Sequence, residues 1–282
     1  MKELTKELCN TLARHKKFII IFASSLLAVC VAGMVVAAFV DLELSRTLND
    51  PTQVFSKLLH DFGEWPAYFI NVGFPIALAV YLVKNKKYWW AILPFIFACA
   101  FGLFFSRIWL ETSELQFHLH IILNVICIGV FVGIFFLVPK EAHKKFLYIL
   151  GVTFIITNIT YLIMLAFKYL WGRVRFWDLA GNFTPWYRPN GITGNTSFPS
   201  GHVLSAASLL MLWLVPIIFK IKNKVARAIL IIIPIFYTIS MMYARIVVGA
   251  HYLSDVVFSI ILLTLCATVF LYFVCRRQKK KN

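Results

Sequence analysis

The sequence predicts an all-α protein, a polytopic bundle of about eight helices that cross a membrane. Hydrophobic residues make up 61% of the 282 residues and charged residues only 14%, against roughly 45–50% and about 25% in ordinary globular chains. The apolar residues form eight stretches without Lys, Arg, Asp or Glu. Each stretch has the length of about 17–25 residues that a transmembrane helix needs. The stretches are 18–40, 67–83, 88–105, 119–138, 146–167, 203–219, 228–244 and 256–274.

The first stretch follows a basic N-terminal segment, 1–17, as the apolar region of a signal peptide does. Its 23 uncharged residues exceed the about 7–15 that are typical of a signal peptide, so the sequence predicts an uncleaved anchor. Stretches 67–83 and 88–105 are separated only by 84–87, which fits a tight hairpin or one partly interfacial helix. Segment 41–66 carries apolar residues among charges, which predicts an amphipathic piece at the membrane surface with either a packing or a substrate role.

The basic residues predict the orientation, because cytoplasmic loops carry an excess of Lys and Arg. One set of alternate loops holds 20 of the 28 basic residues and three acids, whereas the opposite set holds eight basic residues and nine acids. Both termini are therefore expected on the cytoplasmic side of what is expected to be the cell membrane. The net charge of +16 reflects this topology and attraction to anionic lipid rather than a nucleic-acid partner.

The six cysteines form no CxxC pair and have no metal-ligand spacing. Cys30, Cys99, Cys127 and Cys266 lie inside apolar stretches, where cysteine behaves as a small hydrophobic residue. The sequence therefore predicts no metal site and no cofactor.

Candidate functional residues are concentrated in two predicted extracytoplasmic loops, 168–202 and 245–255. The first loop is long and aromatic, and loops beyond about 12–15 residues in a compact protein are usually functional or disordered. Lys168 and Arg175 lie seven positions apart at its start, so both face one side if the helix continues through them. Basic residues at the end of a span commonly reach to lipid headgroups, but this pair lies on the face that otherwise carries few positive charges.

The first loop ends in the sequence SFPSGH, 197–202, directly before an apolar stretch. Ser and Pro suit the start of a helix, and the free N–H groups there bind an anion with help from the helix dipole. Gly201 would let a phosphate oxygen approach the backbone, and His202 would stand beside that anion. An ordinary capped helix start is the alternative interpretation of Ser200 and its neighbours.

The second loop contains Arg245, His251 and Asp255. His251 and Asp255 are four residues apart, hence neighbours if the segment is helical, and an aspartate beside an imidazole fixes its tautomer and stabilises its charged form. The planar guanidinium of Arg245 matches phosphate oxygens. An interfacial helix with a structural His–Asp pair is the alternative.

Two histidines, three cations and an anion-binding helix start are thus expected on one face of the membrane. Phosphoryl transfer needs cations and N–H groups for the equatorial oxygens, an in-line nucleophile and an acid for the leaving group. The residues by themselves leave open which histidine attacks, although the neighbouring Asp255 favours His251.

This arrangement resembles the type 2 phosphatidic acid phosphatase family, which includes lipid phosphate phosphatases and vanadium haloperoxidases. The family pattern is Lys, six residues, Arg-Pro; then Pro-Ser-Gly-His; then Ser-Arg, five residues, His, three residues, Asp. The spacing matches throughout, but Phe176 stands in place of the Pro and Ala244 in place of the Ser. The resemblance implies a six-span phosphatase core, so the eight predicted spans indicate either an N-terminal addition or an overcount. We expect 1–145 to hold the N-terminal spans and the amphipathic segment, 146–274 the core, and 275–282 a basic cytoplasmic tail.

The resemblance also implies residue roles and a metal-independent reaction through a phosphohistidine. His251 would be the nucleophile, Asp255 would orient it, and His202 would protonate the leaving oxygen and then help to activate water. The phosphate would be held by Lys168, Arg175, Ser200, Gly201 and Arg245.

The expected function is hydrolysis of a membrane lipid phosphate or pyrophosphate, such as a polyprenyl pyrophosphate or phosphatidate, at the extracytoplasmic face. A phospho- or headgroup transferase that uses the same site is the closest alternative. A transporter of a phosphate-bearing solute is a weaker alternative, because such sites use broken helices near the bilayer midplane and these charges lie at span ends.

Overall fold

The computed structural model describes residues 2–108 and 114–279, and these residues form helices joined by loops, without a β-strand. In chain order the α-helices are α1 (Lys2–Arg14), α2 (Lys16–Leu48), α3 (Val54–Phe62), α4 (Trp65–Lys84), α5 (Tyr88–Ile108), α6 (Glu114–Leu137), α7 (Lys140–Trp171), α8 (Gly201–Ser208), α9 (Leu214–Ile218), α10 (Lys224–Val247) and α11 (Leu253–Lys279).

The predicted membrane helix bundle is confirmed. Within the described residues, seven helical stretches are long and apolar enough to cross a membrane, and Tyr88–Phe104 adds a shorter apolar helix. Many large apolar side chains point outward, such as Phe39 and Trp89, which are 84% and 85% exposed. An outward apolar surface of this extent is what a lipid environment accommodates and water does not.

The boundaries of three predicted elements differ from the structure. Helix α2 does not end near residue 40 but continues to Leu48, and Asp41 is tolerated in it because its carboxylate pairs with Arg173 inside the protein. The stretch at 203–219 is not one α-helix, since a 3-10 helix, Leu209–Trp213, separates α8 from α9. Helix α7 ends at Trp171, where Gly172 adopts a positive φ of 54° and a Cβ would collide with the carbonyl oxygen of Gly191.

The helices divide into two compact units. The first, Trp65–Ile155, contains α4, α5, α6 and the first half of α7. Helices α4 and α5 pack against each other across a three-residue turn, as a hairpin does. The core of this unit includes Tyr68, Val72 and Ile76, and Lys84 Nζ donates to two backbone oxygens near the end of α6, at 2.7 Å each.

The second unit combines Lys2–Glu64 with the chain from Ile156 onward. Helix α2 packs on α11, α3 on α10, and α8 on both α10 and α11. Its core includes Phe198, Met241 and Val256. Two helices from the N-terminal part of the chain therefore pack directly against the helices that carry the sequence motifs.

The two chain ends of the second unit are covalently joined. Cys9 of α1 and Cys275 of α11 form a disulfide, a pairing that their spacing in the sequence did not indicate. The predicted basic tail, 275–282, begins as the last turns of α11, and its residues 280–282 lie outside the described residues.

Candidate active site

The second unit contains all eight residues that the sequence predicts for the site. They come from the end of α7, the loop after it, the start of α8, the end of α10 and the start of α11. These residues are Lys168, Arg175, Ser200, Gly201, His202, Arg245, His251 and Asp255.

The start of α8 is tied to the start of α11. Ser200 is the N-cap of α8, and its side chain accepts a bond from the backbone N–H of Val203 at 3.5 Å. Its own N–H donates to the carbonyl oxygen of Asp255 at 3.2 Å, and Ser259 Oγ donates back to its carbonyl oxygen at 2.9 Å. These hydrogen bonds to α11 therefore fix the position of the α8 N-terminus.

Lys168 and Arg175 converge without a continuous helix. The predicted reason for their common direction was continuation of the helix, and that reason is wrong because α7 ends between them at Trp171. Lys168 Nζ instead donates to the carbonyl oxygen of Thr196, and Arg175 Nη2 lies 3.4 Å from Thr196 Oγ1. Arg175 also lies over the ring of Trp177, 5.0 Å from its centroid.

His251 and Asp255 are adjacent for a reason that also differs from the prediction. The segment before Leu253 is not helical, because α10 ends at Val247 and Gly249 turns the chain with a φ of 76°. The turn still brings His251 Nδ1 to 3.4 Å from Asp255 Oδ2, with both side chains buried. Nδ1 has no closer hydrogen-bond partner among the described residues.

Burial sets the charge of His251. Loss of solvation, together with the positive charges of Arg245 and Lys168, lowers its pKa from 6.5 to about 3, although Asp255 acts in the opposite direction. The imidazole is therefore neutral at physiological pH, which is the form that can attack phosphorus.

Asp255 is held by a buried ion-pair network that sequence reasoning missed. Arg173 Nη1 lies 2.5 Å from Asp255 Oδ1, and Arg173 Nη2 lies 2.9 Å from Asp41 Oδ2. Asp41 Oδ1 also accepts from the N–H of Ser254 at 2.9 Å. Ser197 Oγ donates to the other oxygen of Asp255, at 2.6 Å.

Arg173 makes further contacts besides its two ion pairs. Its Nε donates to the carbonyl oxygen of Thr184 at 3.0 Å, and its guanidinium lies 4.1 Å from the ring centroid of Tyr252. A basic residue two positions before Arg175, and an aspartate directly after the first apolar stretch, were the only sequence signals for Arg173 and Asp41.

His202 has two further partners outside the predicted set. Its Nδ1 lies 3.1 Å from Glu64 Oε1, and its Nε2 lies 3.0 Å from the carbonyl oxygen of His60. The imidazole rings of His60 and His202 are stacked, with centroids 5.7 Å apart. The four-residue spacing of His60 and Glu64, within the segment predicted to be amphipathic, was a signal that could have found them.

Arg245 is 1% exposed, and its Nη1 contacts Nδ1 of His60. Its Nε is buried and has no hydrogen-bond partner among the described residues. A buried donor of this kind is costly unless a ligand or another group satisfies it. Arg245 therefore has the donor capacity that binding an anion requires.

The two departures from the family pattern lie beside the phosphate-binding candidates. Phe176, in place of Pro, packs edge-on against Tyr252 with ring centroids 6.3 Å apart. The backbone N–H of Trp177 donates to the carbonyl oxygen of Gly249 at 3.0 Å. Ala244, in place of Ser, is fully buried. Both side chains contribute packing at positions next to Arg175 and Arg245.

The arrangement suits phosphoryl transfer. The charges of Lys168, Arg175 and Arg245 interact with one another, and cations grouped in this way bind a dianion. A neutral buried histidine beside a carboxylate has the chemistry that a nucleophile needs, and a second histidine near a carboxylate has the chemistry that an acid needs. No group of three or more His, Cys, Asp or Glu residues is placed to hold a metal ion within the described part of the chain.

Comparison with known proteins identifies a family. The family model described as the PAP2 superfamily matches residues 142–279, which include all three motifs. No curated protein and no solved structure matches the chain. Proteins of this superfamily are generally phosphatases or phosphoesterases. Residues 142–279 of this membrane protein are therefore similar to the PAP2 superfamily, and the candidate active site is the one built from their three motifs.

Proposed function

We propose that this protein is an integral membrane phosphatase that removes phosphate from a lipid phosphate or pyrophosphate, at the extracytoplasmic face and through a phosphohistidine. The observation that carries the proposal is the neutral, buried His251 beside Asp255, in one unit with the cations Lys168, Arg175 and Arg245. That combination has little use in a packing role, because burying several ionisable groups is costly.

Phosphate binding would use the cations and the start of α8. The guanidinium of Arg245 offers an Nε without a hydrogen-bond partner in the described part of the chain. Lys168 of α7 and Arg175 of the following loop both lie near Thr196. The N–H groups of Gly201 and His202 open the helix and carry the positive end of its dipole. These donors would neutralise the charge on the equatorial oxygens during transfer.

The first chemical step would form a phosphohistidine. Because Nδ1 of His251 faces Asp255, Nε2 would supply the electron pair that forms the P–N bond while the P–O bond to the lipid breaks. His202 would give its proton to the leaving oxygen, so that the lipid departs as a neutral alcohol, or as a lipid phosphate when the substrate is a pyrophosphate. Asp255 would stabilise the positive charge that develops on His251 without taking its proton.

The second step would release phosphate. Water would attack phosphorus, its P–O bond would form as the P–N bond breaks, and the proton from water would pass to His202. The enzyme would then be restored with His251 neutral and His202 protonated. Phosphate leaves with the oxygen from water, so the reaction balances without an oxidant, a reductant or a metal ion.

The position of the site supports a lipid substrate. The site residues lie at the ends of α7, α10 and α11, which are stretches long and apolar enough to cross a membrane. A lipid tail could therefore stay in the bilayer while its headgroup enters the site. A polyprenyl pyrophosphate and phosphatidate are the substrates that we would test first.

The test is phosphate release by the purified protein in detergent, from phosphatidate and a polyprenyl pyrophosphate, with EDTA present. Wild type should release phosphate, His251→Ala should release less than about 1% as much because the nucleophile is lost, and the exposed His15→Ala should match wild type. Equal activity of His251→Ala would overturn the nucleophile assignment, and strict dependence on added Mg²⁺ would overturn the metal-independent reaction. Labelled phosphate that appears only on an added alcohol would identify a transferase.

A further inference from the structure

The site contains a second histidine–carboxylate pair, between His202 and Glu64. Glu64 lies in the two-residue turn between α3 and α4, outside the PAP2 match at 142–279. Its Oε1 is 3.1 Å from His202 Nδ1, and both side chains are mostly buried, at 21% and 17% exposed. The N-terminal part of the chain therefore supplies a carboxylate to a histidine of the second motif.

Both ring nitrogens of His202 face hydrogen-bond acceptors. Nδ1 faces the carboxylate of Glu64 and Nε2 faces the backbone carbonyl of His60, at 3.1 and 3.0 Å. A neutral imidazole carries one N–H and one acceptor nitrogen, whereas the imidazolium carries two N–H donors. With Glu64 ionised, both partners accept hydrogen bonds, so they match the protonated form of His202, and a histidine in that form is a proton donor.

The two histidines of the site thus differ in their hydrogen-bond partners. His251 meets one carboxylate that is itself paired with Arg173, which leaves its second nitrogen for attack. The charged or titratable groups near His202 are Glu64, His60, Arg245 and His251. Glu64 is the one anion among them, so the positive charge of a protonated His202 depends on this residue.

The backbone around Glu64 is fixed by contacts to three helices. Its carbonyl oxygen accepts from Ser205 Oγ of α8 at 3.0 Å. The preceding residue, Gly63, bonds through its N–H to Leu59 of α3, and a Cβ there would collide with Met241 of α10 and with that Leu59 oxygen. The position of the carboxylate is therefore determined by tertiary packing and not by a mobile loop.

The geometry points to Glu64 as a positioning residue that holds His202 in its doubly protonated, proton-donating form. This inference rests on the proposed phosphatase function. Glu64 itself exchanges no proton in the reaction. The proton on Nε2 of His202 moves to the leaving oxygen, which takes the place of the His60 carbonyl as the acceptor, while the P–O bond breaks and the P–N bond to His251 forms.

A leaving group that needs no proton separates this role from a structural one. We would compare a lipid phosphate with its analogue in which sulfur replaces the bridging oxygen, because a thiolate leaves without protonation and an alkoxide does not. General acid catalysis typically contributes about 100- to 10,000-fold. Glu64→Gln keeps the shape and one acceptor atom but removes the charge, so it should slow the oxygen ester at least about 10-fold and the sulfur ester less than about 3-fold.

The matched control is Glu43→Gln, which changes an exposed glutamate in an exposed ion pair with Arg46 and should leave both rates unchanged. Glu64→Ala, which removes the acceptor as well, should slow the oxygen ester more than Glu64→Gln does. Thermal unfolding in detergent identifies any variant that has lost its fold, and rates are compared per folded molecule.

Three results would overturn the inference. Equal slowing of both esters by Glu64→Gln would assign Glu64 a structural role, and unchanged rates would assign it none. A wild-type protein that releases phosphate from neither ester would instead refute the proposed function, and with it the role of Glu64. Selective loss on the oxygen ester, together with full activity of Glu43→Gln, supports the inference.

Discussion

Arg173 and Asp255 form a buried ion pair in which Nη1 lies 2.5 Å from Oδ1, and both side chains are at most 2% exposed. The same guanidinium reaches Asp41 of α2 through its other nitrogen. The aspartate that would orient the nucleophile is therefore anchored by a cation, and that cation is anchored by the N-terminal part of the chain. A change in α2 should consequently alter the position of Asp255 and, through it, of His251.

Arg173→Ala should destabilise the protein and abolish activity. Removal of one partner from a buried ion pair typically costs about 3–5 kcal/mol, because a charge is left uncompensated, and here two carboxylates lose their partner. Thermal unfolding in detergent should show a clearly lower midpoint, whereas Arg188→Ala, which changes an exposed arginine of the same loop, should not. A midpoint equal to that of wild type would contradict the network. Arg173→Lys should not rescue stability, because an ammonium cannot bond two carboxylates as a planar guanidinium does.

Asp255→Asn should slow phosphate release by about 100-fold or more, although His251 is still present in this variant. An amide cannot stabilise the positive charge that develops on the attacking imidazole, and it can hold the wrong tautomer. The measurement is kcat on the best lipid substrate, with Asp50→Asn as an exposed control. Burst kinetics should show that formation of the phosphoenzyme is the slowed step. An unchanged kcat would separate Asp255 from the catalytic role of His251.

The buried His251 should make folding stability depend on pH below neutrality. Burial lowers its pKa from 6.5 to about 3, so between these values the unfolded chain binds a proton that the folded chain does not. The contribution of His251 to the free energy of unfolding is therefore fully present above about pH 6.5 and decreases as the pH falls toward 3. The unfolding midpoint of wild type should fall more than that of His251→Asn between pH 7 and pH 5. Parallel curves for the two proteins would show that His251 is not buried as a neutral group.

The loop after α7 should be exposed on the side of the membrane opposite to the termini. A membrane-impermeant maleimide added to intact cells should label Asn182→Cys, in that loop, above the wild-type background. Lys222→Cys, in the loop before α10, should be labelled only after the membrane is opened. Both positions are exposed, so a difference between them reports on sidedness. The reverse pattern would place the active site on the cytoplasmic face and contradict the orientation predicted from Lys and Arg.

The sequence by itself determined the membrane class, the approximate spans and the eight candidate site residues. These features are local, because a span is a continuous apolar stretch and each motif is a fixed spacing along one segment of the chain. Two local arguments nevertheless failed in detail. Lys168 and Arg175 do not share a helix, and the segment that contains His251 is not helical.

Only the tertiary structure decided which residues support that site. Asp41 is 132 residues from Arg173 in the sequence, and His60 is 142 residues from His202. No periodicity connects positions so far apart, since their contacts depend on how α2 and α3 pack against α10 and α11. The apolar pattern of one chain segment specifies a helix, but the partner of a buried charge is specified by packing, because desolvation makes an unpaired charge too costly to bury. The sequence carried only weak signals for Asp41, His60 and Glu64, and their partners in the site became identifiable once the helices were placed together.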